Sequence, residues 1–486
     1  MNKALARPIS IVLIMLIVTT QNWATCGGGG GGGVGGMGGG GSNAQVYQVP
    51  WRIQAPKDPP VTAGLVLYWF PSSVDEYQKS SLRNSRTLSL YASQCVTMEV
   101  AEVRSDAGQK LAANAQLPVA VLATPDGTAI GKAESNKGFL KVEQVEKLVE
   151  NEIKKRDEDL KQKLEAAKEK AKAGDNTAAI PLYRAVVDQK CLFPKRAKDA
   201  VKELKKLGVN DVGAIFDAPI FDPVQSARIE NTMRRGLKAE NEAKYTEAEK
   251  LYAEANRMDP ADPAPLRYLG ELYRHQTGEW EKARHTFDQI LAMQADPLSR
   301  AVALHGLGKM TIHEGEFKKG LALMEDSVRE YPIALAYRNL AVYWNSEGDA
   351  AKTNYYIHEA LTLDPKEPFN LVFAAAFMAN NGQGEEALKI AQANEAFLPA
   401  SYNLAAIYAQ AGQHDKAIAL LKRHFFEYER YQAVRSKEMM EARVDAVFAS
   451  LRNDPVFLAL TNDADGKLPM PSNNTMGTRP AGGANR

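Results

Sequence analysis

YLGELYRHQTGEWEKARHTFDQIL, residues 268–291, holds Leu269, Gly270, Tyr273, Gly278, Trp280, Ala283 and Phe287 at spacings that return along the chain. The next copy, GLGKMTIHEGEFKKGLALMEDSVREYP (306–332), carries Leu307, Gly308, Gly315, Phe317, Gly320 and Pro332. NLAVYWNSEGDAAKTNYYIHEALTLDP (339–365) supplies Leu340, Ala341, Gly348, Ala360 and Pro365, and FAAAFMANNGQGEEALKIA (373–391) supplies Ala375, Gly382 and Ala387. YNLAAIYAQAGQHDKAIALL (402–421) adds Leu404, Ala405, Tyr408, Gly412, Ala417 and Leu421, and KAENEAKYTEAEKLYAEANRMDP (238–260) carries the tail of a further copy. Equivalent positions recur about every 34 residues, a period that marks stacked helix pairs. Small residues let two helices approach, the glycine ends the first helix, and the aromatic fills the gap to the next unit.

This pattern resembles the tetratricopeptide repeat. The resemblance covers six units over residues 229–430, and a degenerate seventh with Ala167, Gly174, Ala179 and Tyr183 falls in a connector spanning 157–228. It implies an α-solenoid, a right-handed superhelix of helix pairs. Two positions depart from the pattern: Thr353 stands where alanine is usual, and one extra residue precedes Gly278. Residues 431–462 read as amphipathic helices forming the polar-backed cap a solenoid end needs, and 463–486, rich in Gly, Pro and Asn, as a disordered tail.

Ahead of the repeats the periodicity changes. GLVLYWF (64–70) is an apolar run of strand length, Ser73 to Glu76 fits a capping box opening a helix to about Ala92, and CVTMEVAEV (95–103) is a second strand. A short helix near 108–114, a strand, the turn Pro125-Asp126-Gly127, a further strand and a helix from Lys141 follow. This order, with Gln116-Leu117-Pro118-Val119 before the third strand, resembles the thioredoxin-like fold over residues 61–156. The resemblance implies that Pro118 is the cis proline and that Pro71, Ser72 and Ser73 occupy the dithiol region. The expected fold class is thus α/β plus all-α.

Redox exchange needs a lowered-pKa thiolate and a resolving thiol, and neither is present at 71–73. All seven histidines lie beyond residue 270, which removes a Ser–His pair from this region. No catalytic residue, cofactor or metal site is expected. Ser73 reads as a helix cap.

The chain has 486 residues, enough for two or three domains, and its 60 Lys plus Arg balance 59 Asp plus Glu. That balance argues against a nucleic-acid partner. At the N-terminus, Lys3 and Arg7 precede the short apolar run Ile9–Val18 and small residues near Ala24, the pattern of an export signal over 1–25. A glycine-rich tether spans 26–60. Cys26 before that tether resembles the acylated cysteine of bacterial lipoproteins, although Trp23-Ala24-Thr25 departs from the usual approach; cleavage near Ala24 is the competing reading. Cys95 and Cys191 either form one disulfide in an oxidising compartment or, as the preferred reading, sit as small buried apolar residues.

The repeat resemblance implies that the first helix of each unit lines a concave groove, placing Arg267, Arg274, His275, His305, Lys309, His313, Arg338 and Asn345 on a basic strip. Phe369, Val372, Asn380, Tyr402 and Gln410 continue it as a mixed apolar and amide surface. Such a groove would take a protein or peptide with acidic or C-terminal carboxylate groups. The expected role is an exported, periplasmic or envelope scaffold, an outer-membrane lipoprotein if Cys26 is acylated. A thiol-linked or chaperone-type envelope protein and a structural subunit of a secreted or surface assembly are the alternatives.

Overall fold

The computed structural model describes residues 45–54, 61–135, 137–398, 401–428 and 432–462. The expected export signal, Cys26 and the C-terminal tail lie outside them.

The apolar run forms strand β2 (Leu65–Phe70), buried at every residue but Tyr68. It pairs in parallel with β3 (Val96–Val100) and antiparallel with β4 (Val119–Ala123), which pairs with β5 (Ala129–Glu134). A two-residue strand β1 (Arg52–Ile53) joins the far edge parallel to β3, giving the order β1-β3-β2-β4-β5. The Leu117–Pro118 peptide entering β4 is cis.

The single helix expected after Ser73 is divided into α1 (Val74–Lys79) and α2 (Arg86–Ser93) by a 3-10 turn. Ser80 and Ser85 cause the division: their hydroxyls accept from the amides of Leu82 and Leu88, offering the backbone partners outside a continuous helix. Ser73 caps α1, its Oγ 3.1 Å from the Glu76 amide. The reciprocal bond from Glu76 to the Ser73 amide is not made, although the carboxylate oxygens are buried. After α3 (Asp106–Leu111), α4 (Val142–Lys172) runs unbroken through the expected domain boundary at 156. With α5 (Asn176–Val187) and α6 (Pro194–Lys206) it shares one apolar core with the sheet, from Trp51 and Leu65 to Tyr183 and Leu204.

The tether also ends earlier than expected. Val46, Tyr47, Val49 and Trp51 are all buried, so residues 45–53 form a strap. Burial of these hydrophobic side chains drives it, since each finds an apolar partner: Val46 and Tyr47 in the repeats, Val49 and Trp51 in the sheet core.

Six helix pairs follow. They are α7 (Pro223–Asn241) with α8 (Tyr245–Met258), α9 (Pro263–Glu271) with α10 (Trp280–Ala292), and α11 (Pro297–His313) with α12 (Phe317–Glu330). Then come α13 (Ala334–Ser346) with α14 (Ala350–Leu363), α15 (Pro368–Asn380) with α16 (Gly384–Asn394), and α17 (Tyr402–Gln410) with α18 (His414–Arg423). Capping residues recur: Asp222, Asp262, Asp296 and Glu367 each precede a proline and accept a bond from the first helical turn. Both departures from the repeat pattern are accommodated locally. The extra residue before Gly278 is absorbed in a π-helical turn over Leu272–Thr277, and the buried Thr353 hydroxyl donates to the Asp349 carbonyl at 2.8 Å.

Two glycines explain the closest packing. A Cβ on Gly270 would lie 2.4 Å from the Phe287 ring, and one on Gly306 would lie 2.3 Å from the same ring. Gly270→Ala and Gly306→Ala should each cost about 1–3 kcal/mol in urea unfolding, the usual range for overpacking. Phe287→Leu in the Gly270→Ala background should recover part of the loss.

The C-terminal helices α19 (Gln432–Val444) and α20 (Pro455–Leu460) pack Met439, Ala442 and Phe457 against the last unit. Their outer surface is not the polar back expected: Met440, Val444, Val456 and Leu458 are 53%, 74%, 59% and 45% exposed. Among the described residues, no helix is long and apolar enough to cross a membrane.

Candidate functional site

The first helices of successive units are joined by polar bonds at the repeat spacing. Arg267 Nη1 approaches Ser299 Oγ at 3.4 Å, the Asn339 side-chain amide pairs with His305 Nε2 at 2.9 Å, and Arg338 Nη1 donates to Asn370 Oδ1. These pairs account for much of the expected basic strip, and they correct it. Arg267, Arg274 and His305 are buried, at 2%, 7% and 1% exposure, and are not an open lining; Arg267 and His305 join neighbouring first helices. Arg274 is held by Glu271, with Nη2 at 2.7 Å from Oε2, and His275 stands 3.7 Å from that same oxygen.

Tyr402 is corrected likewise. It is 5% exposed, its ring 5.0 Å from Phe448 of the cap and its hydroxyl 3.2 Å from Asp445 Oδ2. Val372 is buried in the same terminal core. The C-terminal segment folds back over these positions, which the repeat pattern alone does not register.

Positive charge nevertheless gathers here. Burial pushes the His305 imidazole well below its ordinary pKa, and Arg274, Lys309 and Arg338 push it the same way. His305 is therefore neutral, with three cations around it. Lys309 lies 5.8 Å from the Tyr343 ring centre and is half-buried, Asn345 is exposed, and His275 and His313 are half-buried. Arg338 stands over Phe369 at 5.9 Å and 4.0 Å from Glu367. The reachable part of this face is thus Lys309, Asn345 and their half-buried neighbours.

The turns between units form a second surface, which the sequence did not mark, and the α/β module docks on it. Arg86 of α2 is the centre: Nη2 donates to Asp259 at 2.6 Å, Nε to Asp262 at 3.0 Å, and Nη1 to the Ile220 carbonyl and Ser226 Oγ, each at 2.8 Å. Tyr47 of the strap donates to Asp262 at 2.7 Å. Burial first, then the Asp262 charge, push the Tyr47 phenol far up, so it stays a donor. Tyr268 donates to the Val46 carbonyl at 3.2 Å, Tyr331 to the Trp51 carbonyl at 3.0 Å, and Arg52 to the Glu330 carbonyl at 2.6 Å. At the intervening turn Gln294 Nε2 donates to Ser93 O at 2.7 Å and Cys191 O at 2.9 Å.

Cys95 and Cys191 are joined in a disulfide, Cα atoms 5.9 Å apart, correcting the preferred reading of two separate buried thiols. The docking of connector against sheet brings two residues 96 positions apart to bonding distance. Beside Cys191 lies a cleft of about 480 Å³ between the connector and the turn after α10.

Two carboxyls give the fold a pH dependence. Burial raises Asp364 to about 7, against the Lys366 amide, and burial raises Glu76 to about 7, against the Ser72 amide. Each carboxyl takes up a proton more readily folded than unfolded, so its contribution is most favourable below about pH 4 and is lost as pH rises through about 7. Unfolding at pH 5 and pH 8 should show the chain weaker at pH 8, by an amount on the order of 1–2 kcal/mol per carboxyl once solvent screening is allowed for. Asp364→Asn combined with Glu76→Gln should flatten this window.

Residues 241–307 match the model of the tetratricopeptide repeat. The curated Protein CTR9 homolog of Arabidopsis thaliana is 24% identical over 234 residues, which is 38% of this chain and 21% of that protein. The chain thus spans about a fifth of that relative's length. A thermophilic TPR protein of Thermus thermophilus overlaps 38% of this chain and 99% of its own, at 20% identity and a TM-score of 0.31. A tetratricopeptide repeat protein of Parabacteroides merdae covers 62% of this chain and 97% of its own, at 14% identity and a TM-score of 0.31. The matched segment spans the end of α7 through most of α11, where the helix pairs and the glycine-ended turn were described above. Residues 241–307 thus carry tetratricopeptide repeat units.

Proposed function

We propose that the protein is a non-enzymatic interaction scaffold in which the first-helix face of the repeats holds a protein or peptide partner bearing acidic groups. The supporting observation is the half-buried Lys309 beside Tyr343 and the half-buried Arg338 over Phe369, next to the exposed Asn345. A cationic face draws carboxylates, and aromatic neighbours such as Tyr343 and Phe369 supply apolar contact.

The α/β module is, in this proposal, a thioredoxin-like domain retained as a docking module. Its sheet order and the cis Leu117–Pro118 bond support that reading, and Pro71, Ser72 and Ser73 offer no thiol for exchange. The Cys95–Cys191 disulfide supports an oxidising compartment, in keeping with export to a cell envelope, with Cys26 as the candidate acylation site.

A photoreactive residue at Asn345 or Lys309, used in intact cells and followed by mass spectrometry, tests the partner face. Capture of one partner there, absent from a probe at the exposed Lys318 of α12 and weakened by added salt, is expected. Equal capture at both positions would remove the first-helix face from the proposal.

A further inference from the structure

The cleft beside Cys191 is separate from the repeat face. One wall comes from the connector, Ile215 and Phe216, and the other from the end of α10 and the following turn, Leu291 and Met293. Phe216 is 38% exposed, a large apolar side chain left open to solvent. Two cations are among the lining residues, Lys190 and Arg300.

Two connector carboxylates are engaged by other cations. Asp211 pairs with Arg184 at 3.1 Å, and Asp217 pairs with Lys198. Arg300 is partly offset by Glu330 at 3.2 Å. Lys190 makes no ion pair among the described residues. Its ammonium lies over Gly213, where a Cβ would come within 3.1 Å of Nζ, and the positive φ of 66° lets the connector pass beneath it. An ammonium without an ion pair, lining a partly apolar cleft that has no acidic lining residue, is complementary to one kind of ligand: an apolar body ending in a single anionic head.

The remaining polar atoms narrow the choice. Gln294 spends its side-chain amide donor on Ser93 and Cys191. The walls offer no hydroxyl or second amide to satisfy the backbone of an extended polypeptide, in contrast to the strap, whose carbonyls receive Tyr268 and Tyr331. A volume of about 480 Å³ falls within the range of small-molecule sites, roughly 300–1,000 Å³. We propose that this cleft binds a small apolar carboxylic acid, an alkanoic or arylalkanoic acid, its carboxylate on Lys190 and its apolar body against Phe216, Ile215 and Met293.

Calorimetric titration of the full oxidised chain with octanoate, 1-octanol and a short peptide ending in Ile-Phe with a free C-terminus is the test. Octanoate should bind at least fivefold more tightly than 1-octanol. Lys190→Gln and Phe216→Ser should each weaken octanoate at least fivefold, with Lys190→Arg retaining it and circular dichroism unchanged in all three. Equal affinity for the acid and the alcohol, or Lys190→Gln without effect, would overturn the proposal. Tenfold tighter binding of the peptide would reassign the cleft to a polypeptide terminus and overturn the small-acid assignment. Failure here leaves crosslinking at Asn345 unaffected, so the two proposals stand or fall separately.

Discussion

Replacing Arg86 by methionine should lower the unfolding free energy by about 3–5 kcal/mol, the range for a buried charge deprived of its partner. The guanidinium serves Asp259, Asp262, Ile220 and Ser226 at once, and both carboxylates are buried. Without it, two negative charges remain in a site closed to water, and Tyr47 can answer only one of them. Burial raises the Asp259 carboxyl, so the loss should be smaller at pH 4 than at pH 8. A triple variant, Arg86→Met with Asp259→Asn and Asp262→Asn, should recover much of the stability, since it is the orphaned charge that is costly and not the missing ion pair itself. Because the network joins strap, α2, connector and the first inter-unit turn, hydrogen exchange in Arg86→Met should rise first at residues 45–53 and 220–226. An unfolding midpoint within error of wild type would show that the module is held by apolar contact alone.

The second large effect belongs to Cys95 and Cys191. A cross-link closing a loop of about 100 residues restricts the unfolded chain by about 4–5 kcal/mol in the chain-entropy account, and here the separation is 96 residues. Cys95→Ser with Cys191→Ser should lower the urea midpoint accordingly and abolish any response to dithiothreitol, while wild type treated with the reductant should approach the variant. Gln294, bonded to the carbonyls of Ser93 and Cys191, holds the same two segments to the repeats. The reduced protein should thus remain folded in dilute buffer. Identical midpoints with and without reductant would mean that the bond adds nothing to what packing already provides.

How much of this was legible beforehand follows from how local each feature is. The repeat units were legible because each needs the same small residue at the close approach, as at Gly270 against Phe287, and the same left-handed turn, as at Gly315 with φ of 96°. The sheet was legible through LVLYWF and the Pro-Asp-Gly turn, whose conformations are set within a few residues. The two-residue strand β1 was not, because its place depends on pairing with Glu99 and Val100 far along the chain.

The site was read less well for the same reason. Arg267, His305 and Arg338 do lie on first helices, but Arg267 and His305 are buried and Arg338 half-buried, because their partners Ser299, Asn339 and Asn370 come one unit further on. Arg86 gave no signal at all. Nothing near it in RTLSLYAS marks it for a pair of aspartates more than 170 residues away, although the Asp-Pro steps at 259 and 262 recur where units meet.

The bonds between first helices alternate in kind. Arg267 and Arg338 are each the fifth residue of their helix, and each reaches the third residue of the following one, Ser299 or Asn370, whereas the unit between them uses His305 and Asn339. The building block of this stretch is therefore a pair of units, and single units are not interchangeable. Excising α11 and α12 alone would turn Arg267 toward Ala336, the apolar third residue of α13, whereas excising α11 through α14 would set it opposite Asn370 and keep a partner for it. Evolutionary or engineered shortening of such an array should proceed in twos.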